Sequence, residues 1–416
     1  MKFLVLLPCF LLSRVPFSWA QTGCTDPQAL NFSASAVSND GSCMYPVTTY
    51  VPVFKASLPG ALSEISGMVN CGGSWWAHND SGNATAFSEI NPESGLVIRT
   101  VTPAGAHNRD WEDAASTGDT LFIGDFGNNS NNRTDLGIYS IPLSAIQNSG
   151  NPVVPDGSYS FIPYTYPDQV SFTTQPQDST VFDCEAMLFH DGLIHLFSKN
   201  HRDYTTTHYT VEPLTAAVVK RGSINTEGMI TGADISPDGK VIALAGYNLR
   251  GLPSVFCWFL WDWPAGTDDF FAGNKRKIEF GSALISGQVE SIAFSGNRKG
   301  YIANENTTFN GIPLVAQGIR TFDCSAWIPE LSPVEEVAPA HARLRAYPNP
   351  ASDAATLHWE TGDVPVMMRI FAPDGRPVQQ FSNPESGMSV QLERGCYFIV
   401  SQWSDGKTGV TRLVFN

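Results

Sequence analysis

The chain has 416 residues with 42% hydrophobic content, enough for two or three domains with a substantial core. Forty acidic against 25 basic residues leave a formal charge of −15, which argues against nucleic acid as a partner. Abundant Gly, Pro, Asn, Thr and aromatic residues point to an all-β protein, and beyond the N-terminus no apolar run approaches the roughly 20 residues of a membrane span.

Residues 1–20 have the form of a secretory signal peptide. Lys2 supplies the positive start, residues 3–12 the apolar stretch, and Ser18-Trp19-Ala20 a small-x-small cleavage site. A competing reading takes Gln21-Thr22-Gly23-Cys24 as a lipoprotein box with Cys24 acylated, although Gln21 stands where such boxes carry an aliphatic residue. Residues 21–47 form a polar, Asx-rich module bracketed by Cys24 and Cys43, which in an exported chain implies a disulfide. Its Asp26, Asn31, Asn39 and Asp40 either ligate Ca²⁺ or form turns, and turns are the simpler reading. The sequence Gly-Cys-Thr-Asp-Pro … Asp-Gly-Ser-Cys resembles a short module of secreted Bacteroidetes proteins.

Residues 48–328 carry one hairpin five times. With Ser66, Glu112, Glu185, Gly232 and Glu290 as one column, a turn pair follows six and seven residues on: Gly72-Gly73, Gly118-Asp119, Asp191-Gly192, Asp238-Gly239 and Gly296-Asn297. Such pairs make two-residue hairpin turns, since Gly, Asn and Asp tolerate positive φ. Second strands run through Trp75-Trp76, Leu121-Phe122, Ile194-His195, Val241-Ile242 and Tyr301-Ile302. Gap-free repetition of an antiparallel hairpin predicts a β-propeller. Five blades fit the segment. Phe322-Asp323-Cys324 echoes Phe182-Asp183-Cys184 and leaves open a degenerate sixth blade, or a closing strand to which residues 50–55 could pair. The same echo allows a Cys184–Cys324 bridge, with Cys71, Cys257 and Cys396 unassigned.

Residues 329–343 read as a Pro/Glu/Ala-rich linker. The alternating runs of 344–416, with turns at Asp374-Gly375 and Asp405-Gly406, predict a small β-sandwich. Tyr347-Pro348-Asn349-Pro350, Ile370 … Asp374-Gly375 … Val378, Gly395-x-Tyr397 and the closing Arg412-Leu413-Val414 resemble the type A C-terminal sorting domain of the Bacteroidetes type IX secretion system. The resemblance implies that this machinery is the partner of residues 344–416. It implies passage across the outer membrane, then release or attachment at the cell surface, and nothing about the cargo's chemistry.

Hairpin geometry supplies the site argument. The first strand of each blade begins, and the second ends, at the same rim. One mouth of the propeller should therefore gather Glu64, Asp110, Glu112, Asp125, Asp183, Glu185 and Glu290, with His78, Asn79, Asp80, Lys199, Asn200, Asn304 and Glu305 close by. So many carboxylates require a counter-charge, raised pKa values or bulk water. One reading is a Ca²⁺ ion, with Glu112, Asp125, Glu185 and Glu290 as ligands, or a cationic ligand on the axis. The other is structural, each Glu capping backbone amides or pairing across blades.

Asp110-Trp111-Glu112-Asp113-Ala114, Ile123-Gly124-Asp125-Phe126-Gly127-Asn128-Asn129 and Asp183-x-Glu185-Ala186-Met187 resemble secreted bacterial propellers. More distantly they are similar to esterase-like phytase and lactonase propellers, a likeness that implies a central channel with Ca²⁺ and acidic residues. Ser66 and Gly232 depart from the acidic column. The favoured function is a secreted or cell-surface binding propeller; the alternative is a Ca²⁺-dependent hydrolase with metal-activated water. Ser66 lacks a nucleophile-elbow frame, His190, His195, His201 and His208 lack zinc-helix spacing, and Trp258, Trp261 and Trp263 suit blade packing better than sugar binding.

Overall fold

The computed structural model describes residues 21–147, 150–177, 179–309, 312–328, 344–359, 364–372, 376–404 and 408–415. The signal peptide, the linker and the turn pairs Asp374-Gly375 and Asp405-Gly406 lie outside them. The chain divides into two compact units, Met1–Glu330 and Leu331–Asn416.

The first unit is a five-bladed β-propeller. Blade one has strands Ile65–Cys71, Ser74–Asn79, Phe87–Asn91 and Leu96–Pro103, with the short Val153–Val154 added in parallel at its outer edge. Blade two runs Trp111–Ser116, Thr120–Asp125, Gly137–Pro142 and Ser160–Pro163; blade three, Asp183–His190, Leu193–Lys199, Thr205–Val211 and Val218–Asn225. Blade four runs Met229–Ile235, Val241–Asn248, Ser254–Trp261 and Asn274–Ser282. Blade five takes Val289–Gly296, Lys299–Asn304 and Gly318–Asp323 from the end of the segment and Val53–Ser57 from its start. There is no sixth blade among the described residues. The strand that echoed blade three is instead the third strand of blade five, and pairing with Val53–Ser57 closes the ring.

The first strand of every blade touches the first strands of its two neighbours, so these five strands wall a central channel. Cores lie between blades, where the faces of successive sheets meet. Trp76, Phe87 and Trp111 fill the space between blades one and two. Phe126, Tyr164, Tyr166 and Tyr209 fill the next, and Phe197, Phe256 and Phe270 the one after. Each such side chain, taken out of water, contributes about 2–3 kcal/mol.

Turn chemistry follows the expected pairs in three blades. Gly72 and Gly73 (φ 62° and 82°) and Asp191 and Gly192 (47° and 81°) both turn at positive φ. Gly118 does so at 96°. In blade four Ser236 pairs with Val241, so the loop is the longer 237–240 and only Gly239 is left-handed. In blade five a bulge at Ser295 lets Gly296 pair with Lys299, moving the turn to Asn297-Arg298.

Cys24 and Cys43 are bridged, and with its sulfur so engaged Cys24 offers none to a lipid. Asp26 accepts from Gln28 N and Tyr45 OH, Asn31 spans Ser42 O and Met44 N, and Asp40 accepts from Ser42 N, the bonding of turn formers. The module seats on blade four: Asn39 donates to Asp262 and Asn274, and Arg276 to Gln28. Cys184 and Cys324 are not bridged; both are buried free thiols, as are Cys71 and Cys257, while Cys396 is half-buried.

The second unit is a β-sandwich. A sheet of Arg345–Tyr347, Ala355–His358 and Met388–Val390 shares one core with a sheet of Pro365–Phe371, Pro377–Ser382, Gly395–Trp403 and Thr408–Phe415. Leu357, Met368, Ile370, Ile399 and Leu413 fill it. Asn349 donates to Arg412 O (2.7 Å) and accepts from Val414 N (2.9 Å), joining the start of the unit to its end.

Candidate functional site

The aligned column marks a structural device. In each first strand the pairing register slips by one residue at or beside the column, a β-bulge: Ser66, the pair Glu112-Asp113 (against Gly124), Glu185 and Glu290 are all passed over by the ladder. A bulge bends its strand and re-aims the side chain it carries. In blade four the passed-over residue is Thr231, one before the expected Gly232. Thr231 Oγ1 donates to Val289 O (2.6 Å), much as Ser66 Oγ donates to Glu112 O (2.5 Å). The hydroxyl positions thus tie neighbouring blades together, and the three glutamates are left for the channel.

These glutamates open into a cavity of about 380 Å³ at the rim where first strands begin. Glu64, Asp80, Asp110, Glu112, Glu185, Lys199, Glu290 and Glu305 all line it. His78, Asn79, Asp125, Asp183 and Asn304 do not. His78 is buried beside Gly67 with its ring edge-on to Trp111, and Asn79 donates to Ala61 O. Asp125 pairs with Arg133 (2.9 Å) and accepts from Asp110 N. Asp183 is buried and accepts from Asn128 N (2.6 Å), and Asn304 bonds Glu305 O, Ala316 O and Arg320. Asn200 is held by Asp203. The cause is an offset of one. Each bulge adds a residue to the first strand, so the channel face of the second strand falls on Asp80 and Lys199, fourteen past the column, and not on Asn79 and Ser198.

Lys199 is the counter-charge. Its Nζ pairs with Glu185 Oε2 inside the protein and lies 5.8 Å from the Tyr247 ring. Burial works against its charge, but Glu185, Tyr247 and Glu290 outweigh burial and hold its pKa well above the usual lysine range. Glu112 and Glu290 are pushed well above the carboxylate range, Glu112 by burial and then Glu185 and Asp110, Glu290 by burial and then Glu305. Asp113, beside Glu112, faces the channel lower down. It accepts from Ala114 N and, across the axis, from Met187 N (2.8 Å) and Ala233 N (3.1 Å), so it sets the floor beneath the acidic mouth.

At the outer lip Glu64, Asp80 and Glu305 bring one carboxylate oxygen each within 4.8 Å of the others. All three are half-exposed. Burial and then Glu64 push Asp80 up to about 7 and Glu305 up to about 8. No lysine pairs with this group among the described ion pairs. Of the expected metal ligands, Glu185 is thus engaged by Lys199 and Asp125 by Arg133, and the gathering that could hold a cation lies elsewhere on the rim.

Several lining residues escaped the aligned column, Tyr247 because the blade-four bulge at Thr231 puts it in the register place that Lys199 holds in blade three. Tyr247 comes from blade four, and Asn129, Gln177 and His201 from loops. Gly127 matters by what it lacks: a Cβ there would stand 2.3 Å from Glu112 Oε1 and 2.4 Å from Asp110 Oδ2. The other candidates pack. Trp258 donates to Thr226 O, Trp261 meets Tyr45 and Trp263 meets Phe270.

No family model matches the chain, and no curated protein matches it. Solved structures similar to it include a PQQ-bound aldose sugar dehydrogenase from Streptomyces coelicolor, at 12% identity over 67% of this chain and 99% of that one, with a TM-score of 0.38. A Bombyx mori GH32 β-fructofuranosidase shares 11% identity over 88% and 89% (TM-score 0.37). A Phanerochaete chrysosporium exo-β-1,3-galactanase shares 10% over 91% and 98% (TM-score 0.38). The likeness is one of β-propeller architecture alone. No helix among the described residues is long and apolar enough to cross a membrane.

Proposed function

We propose that the chain is an exported binding propeller whose acidic mouth takes a divalent cation on Glu64, Asp80 and Glu305. The observation that carries this is the convergence of three carboxylate oxygens within 4.8 Å, while the deeper glutamates already have Lys199. An all-oxygen, half-exposed donor set suits Ca²⁺, which tolerates irregular geometry, completes its shell with water and would displace the protons that Asp80 and Glu305 hold near neutral pH. Three mutually repelling carboxylates weaken the apo state, and an ion bound to the native state alone stabilises it by mass action. At free Ca²⁺ of 100 times its dissociation constant the gain is about 2.7 kcal/mol. Thermal melts with Ca²⁺ and with EDTA test the reading. The midpoint should rise with Ca²⁺, and the rise should vanish in Asp80→Asn and Glu305→Gln but persist in Asp125→Asn. A midpoint indifferent to metal and chelator would leave the rim structural, and the Ca²⁺-dependent hydrolase would lose its support as well.

The export route rests on the tail. The Tyr347–Pro350 and Arg412–Val414 motifs meet through Asn349 in a separate compact unit, as a detachable sorting domain requires. Deleting residues 344–416 should hold the protein in the periplasm with its propeller folded; normal delivery to the surface or medium would end this reading.

A further inference from the structure

The hairpin turns gather at the other end of the channel, beyond Asp113, and enclose a second cavity of about 620 Å³ to which all five blades contribute. Its wall is unlike the acidic mouth. Val69, Trp75, Phe189, Ile235 and Phe294 line it, and the rings are braced from behind. Trp75 stands edge-on to Tyr301 (centroids 5.1 Å apart), Phe189 stacks on Phe122 (5.4 Å) and Phe294 meets Phe322 edge-on (5.5 Å). Two carboxylates line it as well: the exposed Asp191, 3.4 Å from His190 Nε2, and the more buried Asp234. Asp234 Oδ1 accepts from Ile235 N (2.8 Å) and its Oδ2 from Phe294 N (2.7 Å), which fixes its direction and leaves acceptor capacity on both oxygens. Among the described residues neither lysine nor arginine lines the cavity.

A concave space of this size, part apolar and part polar, with an oriented polar group is the form small-molecule sites take. The choice of ligand follows from charge. A carboxylate with no lysine or arginine beside it among the described residues, in a cavity that three aromatic rings also line, is complementary to an ammonium group carried on an apolar body, which gains from the ion pair and from the rings together. We propose that this cavity binds a small organic ammonium compound, its cation on Asp234 and its apolar part against Trp75, Phe189 and Phe294.

Titration calorimetry of the full chain with benzylammonium chloride, and with benzyl alcohol as its neutral counterpart, tests this, with Trp75 fluorescence as a second readout. Benzylammonium should bind at least tenfold more tightly than the alcohol. Asp234→Asn should abolish that preference while leaving the alcohol's affinity within about twofold. Phe189→Leu, which keeps an apolar side chain and the carboxylate, should weaken benzylammonium several-fold in a protein of unchanged circular dichroism. Absence of binding, equal binding of the two probes, or a preference that survives Asp234→Asn would each overturn the proposal.

Discussion

Lys199 decides whether the acidic mouth is tolerable. Buried among glutamates, it is the one lysine or arginine lining the cavity among the described residues, and removing it takes from Glu185 its ion-pair partner. Breaking such a pair from one side costs about 3–5 kcal/mol, whereas removing both charges is far milder. Lys199→Met should therefore destabilise strongly in urea, and Lys199→Met with Glu185→Gln should recover most of the loss; equal instability of single and double variants would contradict this. A second buried pair sets an acid limit. His195 Nδ1 and His208 Nε2 lie 2.9 Å apart against Phe270. Burial lowers His195 to about 4, and burial with the neighbouring His195 lowers His208 to about 2. A folded pKa below the unfolded value near 6.5 means stability that is full above pH 6.5 and lost as pH falls toward 4, about 3 kcal/mol for His195 alone. Denaturant titrations at pH 7.5 and 4.5 should show it, and the difference between parent and His195→Leu/His208→Phe isolates the pair. At this scale much was legible: Glu64, Asp80, Lys199 and Glu305 all stand near the mouth where hairpin geometry puts them. The choice between Asn79 and Asp80 was not, because it turns on a bulge that spacing alone does not reveal.

Strands and turns were the most legible level, since a two-residue turn and the alternation beside it are local. Even there the fourth repeat slid by one. Its turn is two residues longer, and Gly232 aligned only because that extra length compensated for the bulge at Thr231. The element with least local signal is Val53–Ser57, whose side chains are exposed except Ala56. Its strand character comes from a partner at Gly318–Asp323, not from its own pattern. Proline at Ala56, which pairs with Ile319, should cost about 3 kcal/mol by opening blade five, whereas proline at exposed Val51, outside the strand, should be nearly neutral. Urea midpoints of the two variants distinguish them, and equal midpoints would show that the closing strand contributes little.

For the whole molecule, the consequence of that closing strand is temporal. Leu58 N reaches Gln317 O, and Gln317 Nε2 returns to Leu58 O, so residues made nearly a whole propeller apart become neighbours. During synthesis, residues 53–57 emerge early, and their backbone N–H and C=O groups have no strand to pair with until the last blade follows. The ring therefore has no folded half-way state with both edges covered. Blade five, and with it the ring, is completed only once residue 323 has been made.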